Sequence, residues 1–212
     1  VAVITNSSLI WQEEVQSALM EADWVSLKFD AVDESVWRRV DRPHGKLNLD
    51  AILEGALSFS RSFEGRLVTE TMLAADVNDD DQNIRNVADF LAQLAPDVAY
   101  VSIPTRPPAE NKVRPPDEHV VNRAYQILSH KVKRVEYLTG YEGDAFASTG
   151  NIKEDLVSIT AVHPMRKEAV DAILEKTNGD WTSVQELVDE NQIVEAQYDG
   201  HKYYMRRFKR RA

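Results

Sequence analysis

Across residues 1–130 the chain alternates, four times over, a short apolar run with a stretch whose apolar residues recur at helical spacing. Val1–Thr5 precedes Trp11, Val15, Leu19 and Ala22. Trp24–Phe29 precedes Leu49, Ile52, Leu53, Ala56 and Leu57. Leu67–Leu73 precedes Ile84, Val87, Ala88, Leu91 and Leu94, and Asp79 to Asp81 stand where acidic caps stabilise a helix start. Val98–Ile103 leads through a Pro-rich loop to Val120, Val121, Ala124, Ile127 and Leu128. Short apolar runs alternating with runs of helical period at this spacing predict right-handed βαβ crossovers and therefore a parallel sheet. Such sheets carry function at the carboxyl ends of their strands.

The predicted strand ends are polar. They read Thr5-Asn6-Ser7, then Lys28 and Asp30, then Glu70, then Pro104 to Arg106. A charge in a parallel strand is costly unless it is paired or faces a cleft. Lys28 could simply pair with Asp30 or Glu70 inside a barrel, and Arg106 could be a loop charge. Four polar strand ends together favour a site, because active sites collect such groups. Two features imply a fragment of a longer protein: four strands leave open sheet edges, and the chain opens on Val1, inside an apolar run.

Residues 132–150, with Gly140, Gly143 and Gly150, read as a linker, although Val135–Leu138 is strand-like. A small domain is expected over 151–212. Leu156 to Val162 reads as a short helix. Ala169, Val170, Ile173 and Leu174 form a helix face ended by Asn178-Gly179, and Val184, Leu187 and Val188 form another. Gln192–Tyr198 and Lys202–Phe208 flank Asp199-Gly200, a hairpin signal. Helix, helix, helix, hairpin is winged-helix order. Sequence-specific DNA binding is not expected of it. The would-be reading helix carries Glu186, Asp189 and Glu190, with no Lys or Arg from 182 to 190. The basic end, Met205 to Arg211, reads as a solvated terminus, and His163, with no second ligand nearby, as a structural or capping residue.

Charge and composition exclude further classes. The net charge is −10, and residues 1–150 hold 24 acidic against 15 basic side chains, which argues against polyanion binding there. No apolar run approaches the roughly eighteen residues of a membrane span. With no secretory signal and no Cys, a cytoplasmic location is expected.

The strand ends bring a family into view. Val3-Ile4-Thr5-Asn6-Ser7-Ser8-Leu9 resembles the third-strand "TNG-x-L" segment of radical S-adenosylmethionine (SAM) enzymes, with Ser in place of Gly. Val25 to Ala31 resembles their fourth strand, and Arg42-Pro43 through Gly55 the arm that follows. Leu67 to Asp79 resembles the fifth strand and its Asn-Asp loop. Ser102 to Glu110 resembles the sixth strand of a branch of Fe–S oxidoreductases, and the C-terminal domain the tail of that branch. The order of these pieces carries more weight than any one of them.

The resemblance implies an α/β fold: a partial radical SAM (β/α) barrel over 1–131, a linker over 132–150 and a small winged-helix-like domain over 151–212. It implies that SAM and a [4Fe–4S] cluster serve the complete parent. The Cys-rich loop and Gly-Gly-Glu-Pro strand of the first two barrel units are absent, and a cluster needs thiolates. This chain alone is therefore expected to hold no cluster, no metal and no activity. By resemblance, Lys28 and Asp30 touch the SAM ribose and amino-acid moiety, Glu70 is the polar fifth-strand residue, Arg106 lies near adenine or substrate, and Thr5 and Asn6 line the cavity. No catalytic residue is assigned. The substrate, whether small molecule, protein or RNA, stays open. So do two other readings: an unrelated α/β-barrel enzyme binding a small anionic metabolite through Lys28 and Arg106, and a winged-helix adaptor on a degenerate barrel.

Overall fold

A computed structural model describes all residues except 109, 111, 139–145, 147, 199 and 208–212, and of residue 162 only the backbone. The chain divides into two compact units. The first comprises Val1–Pro104 and Lys112–Thr139, the second Thr105–Asn111 and Gly140–Ala212.

The first unit is a five-stranded, wholly parallel sheet. Its strands are β1 (Ala2–Thr5), β2 (Trp24–Lys28), β3 (Arg66–Met72), β4 (Val98–Ser102) and β5 (Val135–Leu138), and they lie side by side in sequence order. Sequential order means that every crossover steps the same way, which by the right-handed rule puts all the helices on one face, as in a slice of a barrel wall. Those helices are α1 (Glu13–Met20), α2 (Glu34–Val40), α3 (Leu49–Ser62), α4 (Asp81–Leu94) and α5 (Glu118–Ser129). Three of these starts are capped by side chains: Asp33 accepts from the Ser35 and Val36 amides, Asn48 from Ala51, and Asp80 from Gln82 and Asn83.

Alternation along the strands separates two faces. Val25, Leu27 and Phe29, then Leu67, then Ala99 and Val101, then Val135 join the apolar helices in one core. Residues of the other parity share rows on the opposite face. Lys28 is level with Glu70, Glu70 with Tyr100, and Tyr100 with Glu136. Two expectations change here. The linker expected over 132–150 begins as a strand, since 135–138 adds β5 to the sheet. The second crossover holds two helices where one was read, because α2 precedes α3. Gly140 and Gly143 lie outside the described residues.

The second unit runs α6 (Ile152–Val162), β6 (Met165–Arg166), α7 (Lys167–Thr177), α8 (Trp181–Asp189), β7 (Ile193–Tyr198) and β8 (His201–Arg206). Its antiparallel sheet has the order β6-β8-β7. Leu156, Met165, Val170, Ile173, Val184, Leu187 and Ile193 belong to a core of its own. Asn178 closes α7 in the left-handed conformation expected at that Asn-Gly pair. In the predicted turn Gly200 has φ +74°; Asp199 and the basic residues from 208 onward lie outside the described residues. Among the described residues no helix is long and apolar enough to cross a membrane.

Candidate functional site

The carboxyl ends of β2 and β3 bring three of the predicted residues together. Lys28 closes β2 on the face opposite the helices, and its ammonium nitrogen lies 2.9 Å from Asp30 Oδ1 and 3.6 Å from Glu70 Oε1. Glu70 Oε1 also accepts from the Ser102 hydroxyl at 2.8 Å. Asp30 is 1% exposed. Its Oδ1 accepts from the Met72 amide at 2.8 Å, while its Oδ2 is buried without a hydrogen-bond partner.

The backbone around Asp30 is fixed by two asparagines. The side-chain amides of Asn78 and Asn83 both donate to the Asp30 carbonyl, at 3.0 and 3.2 Å, and Asn78 also holds the Met72 carbonyl and the Ala74 amide. Both asparagines are buried. A buried amide that meets several backbone groups fixes a loop more firmly than apolar packing does, because each group left unpaired would cost its full desolvation.

A fourth charged residue joins the cluster. Asp41, just past the end of α2, interacts with both Asp30 and Lys28. Loss of solvation comes first, the neighbouring Asp30 carboxylate second, and together they raise the Asp41 carboxyl to about 7 although the residue keeps an exposed face. Burial likewise pushes Asp30 upward, against the pull of Lys28. For Lys28, burial disfavours the charged form, but the negative charges of Asp30 and Glu70 outweigh it and hold the ammonium above its ordinary value. Two carboxylates thus meet the Lys28 ammonium directly, and the Asp41 carboxyl acts on the cluster through Asp30. Two carboxyls in contact cannot both ionise readily, so the Asp30–Asp41 pair retains a proton near neutrality.

Asp41 and Lys28 line a cavity of about 370 Å³, with Asn6, Ser8, Trp37, Leu47, Leu49 and Ile52 among its walls. Of the residues read from sequence, Asn6 and Lys28 therefore border one cavity, with Asp30 and Glu70 against the Lys28 nitrogen. Thr5 is level with Leu27, on the helix-facing parity, and its hydroxyl accepts from the Ser7 amide. Arg106 belongs to the second unit, where its guanidinium meets His163 Nδ1 at 2.5 Å. His163 is the C-cap of α6, and burial together with the Arg106 charge lowers its affinity for a proton.

Sequence reasoning missed Asp41, Trp37 and Asn83, and gave Ser102 and Asn78 no role beyond their place in the resembling segments. Asp33 followed by Val36, Trp37 and Val40 was a readable cap and helix face. With α2 recognised, Asp41 would have fallen at the same sheet end as Lys28. Asn78 fell in the Asn-Asp loop of the resemblance without a role, and Asn83 gave no signal, since a buried amide and a surface amide look alike in a sequence.

No family model matches the chain. Along its whole length it is 38% identical to the UPF0026 protein of Methanocaldococcus jannaschii, of which it spans 66%. Over 92 residues it is 42% identical to a UPF0026 protein of Helicobacter pylori, of which that stretch is 30%. The chain thus spans less than two-thirds of the length of these curated relatives. Among solved structures it resembles a domain of pyruvate-formate lyase-activating enzyme from Bacteroides vulgatus, with TM-score 0.52 and 21% identity over 64% of this chain and 79% of that one. It also resembles a radical SAM methyltransferase from Sphaerobacter thermophilus, with TM-score 0.52 and 18% identity over 67% of this chain and 40% of that one. At these identities the likeness is one of fold: over about two-thirds of its length the chain is built like part of a radical SAM enzyme.

Proposed function

We propose that this chain is the rear part of a radical SAM [4Fe–4S] enzyme, and that its complete parent reductively cleaves SAM to begin radical chemistry on a substrate still to be identified. The observation that carries the reading is the mixed-charge cluster of Lys28, Asp30 and Glu70 at the carboxyl end of a parallel sheet whose fold is shared with radical SAM enzymes. The backbone at Ser7 adds to it. The resemblance placed Ser where the family's segment has Gly, and Ser7 does adopt the left-handed conformation, φ 62°, that glycine adopts without strain.

The donor set separates the two cofactors. A cluster requires thiolates and the chain has no Cys, and among the described residues no group of three His, Asp or Glu side chains could hold a metal. The cluster would therefore be held by other residues of the parent, and this chain supplies no step of its chemistry. SAM fits better. A zwitterionic, sugar-bearing molecule calls for both charge signs and polar partners at one mouth; Lys28 and Asn6 border the cavity, and Asp30 and Glu70 stand against the Lys28 nitrogen. When bound, SAM would supply the radical. The side chains named here would bind and orient it. Thr5 and Arg106 remain proposed contributors on the resemblance alone. The second unit, with a helix–strand–helix–helix–hairpin order, is proposed to be a winged-helix-like domain that contacts protein or substrate rather than DNA, given the acidic α8. A cytoplasmic location is proposed with it.

Expressing the complete parent reading frame anaerobically, and measuring iron and the ultraviolet–visible spectrum with and without SAM, tests the reading. About four irons per chain and a spectrum perturbed by SAM are expected. An iron-free, colourless parent would overturn it.

A further inference from the structure

The carboxyl ends of β2 and β3 leave the hydrogen-bond pattern of the sheet one rung early. Lys28 is level with Glu70, and the Phe29 amide donates to the Glu70 carbonyl at 2.9 Å, so Phe29 takes the place opposite Thr71. In a parallel ladder such a residue accepts, in turn, from the amide two positions further along the neighbouring strand, which here is Met72. The Met72 amide goes elsewhere: it donates to Asp30 Oδ1 at 2.8 Å. The Phe29 carbonyl accepts instead from the Thr71 hydroxyl, at 2.9 Å. One side chain from each strand thus stands in for a main-chain rung, Thr71 on its acceptor and Asp30 on its donor. Both are buried, so the exchange takes place away from solvent. Asp30 Oδ1 is also the oxygen that meets the Lys28 ammonium, at 2.9 Å. A main-chain amide on that oxygen is a charge-assisted donor, which favours the ionised form and fixes the side chain's direction. Asn78 and Asn83 hold the Asp30 carbonyl, which fixes the backbone but leaves the carboxyl free to turn. The Met72 amide stops that turn.

We propose that Thr71 is a positioning residue of the cofactor site: its hydroxyl occupies the Phe29 carbonyl, keeps the Met72 amide on Asp30, and so holds the Asp30 carboxylate against the Lys28 ammonium. Without the hydroxyl the Phe29 carbonyl is left bare in the core, a state more costly than re-forming the rung. The Met72 amide then returns to it, and Asp30 loses the donor that holds it beside Lys28. Lys28 is left with Glu70, 3.6 Å away, and presents its ammonium to a ligand from a different place. That the ligand is SAM rests on the function proposed above; the placement of Asp30 by Thr71 does not.

The first readout uses the 212-residue chain and needs no variant. A hydrogen bond carries a scalar coupling from the donor nitrogen to the carbon of the acceptor. The Met72 nitrogen should therefore couple to the Asp30 carboxyl carbon and not to the Phe29 carbonyl carbon. Thr71→Val keeps the shape and removes the hydroxyl, and its Met72 coupling should move to the Phe29 carbonyl. Thr71→Ser keeps a hydroxyl and should leave the coupling on Asp30. The second readout is the dissociation constant of SAM from the anaerobically prepared parent, taken from the change in its visible spectrum. Thr71→Val should weaken SAM at least about tenfold, with iron content unchanged because other residues hold the cluster. Thr71→Ser should recover most of that loss. Leu128→Ala opens a hole under α5, where Leu128 is buried, and should lower the melting temperature while leaving SAM affinity alone. Loss of stability is thereby separated from loss of position. A wild-type coupling to the Phe29 carbonyl, a Thr71→Val coupling that stays on Asp30, or a Thr71→Val parent that binds SAM as the wild type does would each overturn the proposal. A wild-type parent that binds no SAM would overturn the radical SAM reading instead, while the couplings still decide whether Thr71 places Asp30.

Discussion

Ser7 occupies a conformation that a residue with a Cβ enters only at a cost, and the fold offsets part of that cost. Its hydroxyl accepts the Lys28 amide at 3.2 Å, so the side chain that makes the turn awkward also extends the hydrogen bonding between the ends of β1 and β2. Asp41 shows a comparable tension in charge. Its folded-state affinity for a proton is raised, so the native state binds more protons than the unfolded chain between about pH 4 and about 7. The stability it contributes is thus full below about pH 4 and is lost as pH rises through about 7. Asp41→Asn removes that dependence. Relative to the parent chain, the variant should gain stability on the order of 1 kcal/mol at about pH 8, after discounting for the group's partial exposure, and gain nothing near pH 4. Urea unfolding of both proteins at the two pH values checks this. Lys28, Asp30 and Glu70 were legible from the sequence because charges inside apolar runs stand out. Asp41 was not, because its charge is ordinary and only the chain's return path places it beside Asp30.

Among the elements, α3 approaches the segment after β1 with no room to spare. A Cβ on Gly55 would lie 2.6 Å from the Trp11 Cα and 2.8 Å from its backbone nitrogen. Backbone cannot swing aside as a side chain can, so Gly55→Ala should cost about 1–3 kcal/mol despite the better helix propensity of alanine. A fall in the denaturant midpoint with an unchanged slope would show it. A midpoint that stays or rises would mean that α3 shifts freely. The sequence signalled α3 through its apolar period but gave no hint of this closeness, which depends on how two elements meet. α2 escaped notice for another reason. At seven residues it completes about two turns, so its readable cap and face stand beside the stronger apolar period of α3 and are easily passed over. β5 was visible as a strand-like run, but four residues with half of them exposed say nothing about which sheet they join.

At the scale of the molecule, two apolar cores belong to two units, and each can be perturbed by itself. Leu187 is 1% exposed within the second core. Leu187→Ala should destabilise that unit by about 2–4 kcal/mol and leave the Trp37 indole resonance of the first unit where it is. Thermal unfolding followed by heteronuclear NMR separates the two responses; loss of both sets of signals together would show one cooperative unit instead. Chain order and spatial division nevertheless disagree in one place. The seven residues Thr105–Asn111 sit between β4 and α5 in sequence but belong to the second unit, where the Thr105 carbonyl accepts from the fully buried Tyr203 and Arg106 meets His163. The second unit is therefore a discontinuous module, stitched from an internal loop and a C-terminal segment. A swap between relatives that exchanges only the C-terminal segment would separate Tyr203 from its acceptor. The loop and the segment form a single hereditary parcel, and substitutions in one should be answered by substitutions in the other.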